Sequence, residues 1–93
     1  MKIGINRWTF PEDWALQKCF DIAHWAGFHG VEINMAEGEA SYLKPDDGEE
    51  AVRGIVRMAE EAGVEIVSLS TALGWRYPLT SADPEVRERG KAV

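Results

Sequence analysis

Hydrophobic positions along the chain recur with two periods that take turns. Ile3 and Ile5 alternate with Gly4 and Asn6 over Met1–Asn6, the two-residue period of a first strand. From Leu16 the period lengthens, and Leu16, Cys19/Phe20, Ala23 and Ala26/Gly27 share one face of a helix. Pro11-Glu12-Asp13 predicts the opening of that helix, with Thr9 as a nearby cap, because proline suits a first turn and acids favour the positive end. Gly27 fits the left-handed residue that ends it, with Phe28 packing back behind. Val31-Glu32-Ile33-Asn34 reads as a second strand. The cycle then repeats. Asp46 or Asp47 caps a second helix whose stripe is Val52, Ile55/Val56, Ala59 and Ala62; Gly63 ends it, and Val64–Ser70 reads as a third strand. Ala26-Gly27-Phe28 and Ala62-Gly63-Val64 are the same junction 36 residues apart, the length of one βα unit.

Asp83-Pro84-Glu85 opens one more helix, which has only Val86 and Val93 of a stripe before the chain ends. A helix that short buries too little surface to finish a domain, so residues 1–93 read as the front of a longer protein. Strands joined by helical crossovers run parallel, with right-handed connections. A parallel sheet must be covered on both faces, which leaves an arc of a (β/α)8 barrel or the first half of a doubly wound fold. The first strand-to-helix turn, Asn6-Arg7-Trp8-Thr9-Phe10-Pro11, is bulky and lacks the GxGxxG phosphate turn, which favours the barrel. The expected fold is therefore α/β: a parallel βαβαβ segment holding about the first three βα units of a single barrel domain, ending in the third helix.

Composition narrows the function classes. The one cysteine, Cys19, excludes an intramolecular disulfide framework and any CxxC zinc or redox site, and reads as a small buried hydrophobe. The formal charge is −6, all of it from residues 32–50, where seven acids face only Lys44. Such a segment repels phosphate backbones and no basic stripe offsets it, so a nucleic-acid partner is not expected. Its ordinary reading is a solvated loop followed by the acidic first turn of a helix, and it lacks the alternating ligands of a calcium loop. The first residues turn polar too early for a signal peptide, and no apolar run approaches the ~20 residues of a membrane span. The sequence predicts a soluble cytoplasmic protein with no membrane partner.

Three segments carry a resemblance. Gly4-Ile5-Asn6-x-Trp8-Thr9-Phe10, Ala26-Gly27-Phe28-x-Gly30-Val31-Glu32 and Ala62-Gly63-Val64-x-Ile66-x-Ser68-Leu69-Ser70 are together similar to the opening of a sugar phosphate isomerase/epimerase of the xylose isomerase-like TIM barrel superfamily. The resemblance spans essentially the whole chain, which would be an N-terminal fragment, about the first third of such a protein. It implies carbohydrate metabolism: metal-dependent isomerisation or epimerisation of a sugar or sugar phosphate, with proton transfer next to a carbonyl. It also implies a divalent metal (Mn, Mg, Co or Zn) whose ligands are expected beyond Val93, so that this chain supplies no catalytic and no metal residue and is inactive alone. The Trp75-x-Tyr77-Pro78-Leu79-Thr80-Ser81 loop resembles the epimerase members more closely. The superfamily's endonuclease branch has zinc-binding histidines near the ends of strands two and three, where this sequence has Glu32/Asn34 and Ser70/Thr71.

In a barrel the reactive rim lies at the C-terminal ends of the strands, here Asn6–Trp8, Glu32–Met35 and Ser70–Trp75. Strand alternation turns Glu32 inward, away from Val31 and Ile33. A carboxylate there either pairs with a base from a later strand or contacts a substrate hydroxyl. Trp8 and Trp75, on loops after strands one and three, either cap the barrel mouth or stack on the C–H face of a sugar, with Ser70 and Thr71 bonding its hydroxyls. Trp14 and Trp25 fall within the first helix and suit packing. His24, in the same helix, and His29, at the opposite end of the sheet, suit structural or exposed roles. The alternative to an enzyme is a non-catalytic βαβαβ module that self-associates as a homo-oligomer or binds a partner chain.

Overall fold

The computed structural model describes residues 1–38 and 42–93. Three strands form one sheet in the order β1 (Gly4–Asn6), β2 (Gly30–Met35), β3 (Glu65–Thr71), and both neighbouring pairs are parallel. Helix α1 (Leu16–Trp25) joins the first two strands and α2 (Glu49–Ala62) the next two. After β3 come a single helical turn, α3 (Leu73–Arg76), and α4 (Pro84–Ala92). The parallel βαβαβ order of the sequence analysis is thus present.

The core lies between the sheet and its two crossover helices. Leu16, Phe20 and Ala23 from α1 and Ile55 and Ala59 from α2 meet Val31 and Ile33 of β2 in one buried cluster with Leu43 and Val64. Phe20 and Val31 are fully buried, and removing such a side chain from water contributes about 1.5–3 kcal/mol each. The stripe expected on α2 is half realised: Ile55 and Ala59 are buried, whereas Val52 and Val56 remain over 40% exposed, at 43% and 41%. Those two valines sit on the flank of α2 that no described element covers.

Both long helices end as the sequence predicts and begin elsewhere. Gly27 (φ 92°) and Gly63 (φ 81°) adopt the left-handed conformation that stops a helix, and the Phe28 and Val64 N–H groups bond back to Ala23 and Ala59. Helix α1, however, starts at Leu16 rather than at Pro11, and Ala15 at its cap makes no side-chain bond, so Thr9 is not the cap. The cause is Arg7. Its guanidinium collects the carbonyls of Phe10, Pro11, Glu12 and Trp14, which holds 10–14 in an irregular turn. Trp14 therefore precedes the helix, stacked on Phe10, and Trp25 at its last turn is 82% exposed rather than packed. Likewise neither Asp46 nor Asp47 caps α2. The Asp47 carboxylate accepts the Lys44 N–H in the preceding turn, and Gly48 takes the cap position. Only α4 opens as written, with Asp83 accepting the Glu85 N–H and Pro84 in the first turn.

The β2–β3 ladder contains a bulge. Val31 pairs with Ile66 and Glu32 with Ser68, leaving Val67 as an extra residue. Val67 lies over Gly30, where a Cβ would run into its side chain, and also reaches Gly4. The helix-free face of the sheet therefore bears Gly4, Asn6, Gly30, Glu32, Asn34, Ser68 and Ser70, with Val67 across its floor. No described helix is long and apolar enough to cross a membrane.

Candidate functional site

Alternation places Glu32 on the helix-free face, and two neighbours fix its carboxylate. Ser68 on β3 donates its hydroxyl to Oε2 at 2.7 Å, and Asn6 on β1 donates its amide to Oε1 at 2.5 Å. One residue from each strand thus meets at one point. The Ser68 bond first, and the Asn6 bond second, hold the Glu32 carboxyl below the ordinary carboxylate range. Glu32 is an ionised acceptor at neutral pH. Among the described residues its partners are a hydroxyl and an amide, not a base.

Asn6 has a second task. Its Oδ1 accepts the Trp8 N–H at 2.7 Å and so caps the 3₁₀ turn Arg7–Thr9 that follows β1. That turn lifts Trp8, 58% exposed, to the wall of a cleft of about 400 Å³ at the C-terminal end of the first two strands. Arg7, Phe10, Asn34, Glu37 and Tyr42 form the rest of its principal lining. Arg7 is only 3% exposed. Besides its four carbonyl bonds, it donates to the Tyr42 hydroxyl and lies over the Tyr42 ring, 4.3 Å from the centroid. Its charge is met by carbonyl dipoles, and among the described residues no carboxylate pairs with it.

Of the other residues singled out from the sequence, Ser70 shares the Glu32 face and pairs with Asn34 in the ladder. Thr71 does not join them. It lies opposite Met35 on the helix-side face, and its hydroxyl donates to the Met35 carbonyl at 2.9 Å while accepting the Leu73 N–H at 3.1 Å. Trp75 and Trp8 are on helical turns rather than loops, and Trp75, at 90% exposure, stands apart from the cleft. His29 lies at the other end of the sheet, where its Nδ1 accepts the Ile3 N–H. His24 contacts the Gly63 carbonyl. Cys19 is fully buried, and burial pushes its thiol pKa up, away from reactivity.

Three residues of weight were not anticipated. Arg7 follows the strand immediately and belongs to no period. Asn34 repeats the position of Glu32 two residues on, so the same alternation was available to find it. Glu37 reads in the sequence as one more solvated acid. Instead its carboxylate accepts the Tyr77 hydroxyl at 2.7 Å and lies 3.2 Å from Arg76 and 3.6 Å from Arg89. Both guanidiniums also sit over the Tyr77 ring, so this cluster ties the segment after β2 to α3 and α4. The Glu37 bond, more than burial, raises the Tyr77 pKa above its usual 10.0. Glu39, another acid of that segment, lies outside the described residues.

Among the described residues no three His, Cys, Asp or Glu side chains come together. In comparisons with known proteins, the chain matches no family model and no curated protein sequence.

Proposed function

We propose that this chain supplies the first three βα units of a (β/α)8 barrel that isomerises or epimerises a sugar or sugar phosphate, and that its own part is to bind substrate. One observation carries the reading. An ionised carboxylate, Glu32, sits on the helix-free face of a parallel sheet near the C-terminal strand ends, held by a hydroxyl and an amide from the two flanking strands. In a closed barrel that face becomes the interior, and the strand ends become the rim where substrates bind. A carboxylate so placed accepts hydrogen bonds from sugar hydroxyls; Trp8 lies on the turn that Asn6 caps, and Ser70 lies two residues beyond Ser68 on the same strand face. Thr71 is less suited, since its hydroxyl already bonds the end of β2. The divalent metal would be held by residues other than those described, and the described residues act in binding alone. The cytoplasm is the compartment this reading implies.

Proton NMR in D2O, following exchange at the carbon next to the carbonyl of ketoses and ketose phosphates with Mn²⁺ or Mg²⁺ present, tests the proposal in the complete barrel. Glu32→Gln should raise KM about tenfold with kcat little changed, the signature of a lost binding contact. An unchanged KM removes Glu32 from the site, and no exchange with any sugar removes the reaction class. A second reading, a self-associating module without catalysis, draws on Val67 and Leu69, 53% and 52% exposed on β3, one of the two edge strands of the described sheet. Light scattering that reports a dimer or larger species, together with absent exchange, would favour it.

A further inference from the structure

Asn34 is only 5% exposed, and both polar atoms of its side chain lack a hydrogen-bond partner among the described residues. The Nε–H of Arg7 is buried and unpartnered as well. Buried polar groups are nearly always paired, and each one left unmet weakens a fold. Here three unmet atoms belong to two residues that border the same cleft of about 400 Å³. All three are shut off from bulk water, and the cleft is the cavity that their residues line.

We propose that the Asn34 carboxamide is a ligand-reading group of this cleft, and that its ligand is a neutral polyhydroxy compound presenting two adjacent hydroxyls. The class of ligand rests on the carbohydrate reading above; the role of Asn34 rests on the cleft. A carboxamide offers a donor and an acceptor side by side. Two adjacent hydroxyls match it, one accepting from Nδ2–H and the other donating to Oδ1, with an oxygen left to accept from Arg7 Nε–H. Trp8, Phe10 and Tyr42 give the apolar walls that suit the C–H face of such a compound. A phosphate is poorly matched. Both Nη atoms of Arg7 already face carbonyl oxygens, so the bidentate grip a phosphate takes from a guanidinium is occupied. Glu12, also in the lining, adds no attraction for an anion.

The test is a titration of the full ¹⁵N-labelled chain with D-ribulose and D-ribulose 5-phosphate, read at the Asn34 side-chain amide and Arg7 Nε–H. D-ribulose should shift both resonances saturably, and the phosphate should add no affinity. Asn34→Leu, close in shape but without polar atoms, should leave the unfolding midpoint unchanged or higher while weakening D-ribulose about tenfold. Resonances that stay put at saturating sugar overturn the proposal. So does an Asn34→Leu variant that loses stability, because the amide is then satisfied within the fold by a structural water. A sugar that moves Glu32 and Ser68 but not Asn34 sinks this inference and leaves the carbohydrate reading intact. A shift at Asn34 in a protein that isomerises no sugar does the reverse.

Discussion

Glu32 shows how far a single position can be argued from pattern alone. Val31 and Ile33 had to meet the helices, so the residue between them had to face away, and it does. What pattern does not supply is the partner on each side. Asn6 and Ser68 arrive through register, and Ser68 arrives only because a bulge carries β3 past Val67. The same bulge-set register decides between Ser70 and Thr71, which are consecutive and cannot share a strand face. The two bonds favour the ionised form, so the Glu32 pKa in the fold lies below 4.5, and their stabilisation is fully present above that pH and lost as acid titrates the folded carboxylate. Ser68→Ala should move the Glu32 carboxyl midpoint, followed by ¹³C NMR, up toward 4.5, since Ser68 makes the larger contribution. A midpoint indifferent to Ser68 would contradict the assignment.

At the scale of elements, the ends of α1 and α2 were legible and their starts were not, whereas the start of α4 was. A stop signal is local: Gly27 and Gly63 take a positive φ that other residues resist, whatever surrounds them. A start depends on where the preceding carbonyls and carboxylates are used. Arg7 draws in four carbonyls and Asp47 turns back to Lys44, and neither event leaves a periodic trace. The two stops also differ in a way that can be measured. A Cβ at Gly27 meets nothing within 4 Å, whereas one at Gly63 falls 3.0 Å from the His24 ring. Gly27→Ala should therefore destabilise by about 1 kcal/mol, the backbone penalty alone, and Gly63→Ala by more, in denaturant unfolding. Adding His24→Ala to the Gly63→Ala variant should recover the difference. Equal losses at the two glycines would show that His24 yields without resistance.

For the whole molecule, the sheet direction and the layer of helices on one face were readable because βα periodicity is strong and parallel pairing follows from it. A sheet with this order suits a barrel arc and a doubly wound half equally, so the choice between them rested on the turn after β1. The cleft beside that turn was not readable, since it is built from a turn, a strand end and Tyr42, which no sequence period connects. Among the described residues β3 pairs only with β2, which leaves its far edge unbonded. The barrel proposal expects a fourth strand there. Hydrogen exchange in the complete protein should then show β3 amides on both edges as slow as those of β2, while fast exchange along the far edge would count against closure.

Val67 and Gly30 bind each other's fate. The third strand runs one residue long for its neighbour, and the surplus side chain is accommodated because the residue opposite has none. Lengthening Gly30 by even a methyl group evicts the valine and with it the offset that brings Ser68 to Glu32. Excising Val67 would instead restore an even ladder with Ser68 still facing Glu32, and would remove the main obstacle to a larger residue at position 30. Position 30 can therefore grow far more easily once Val67 has gone than while it stays.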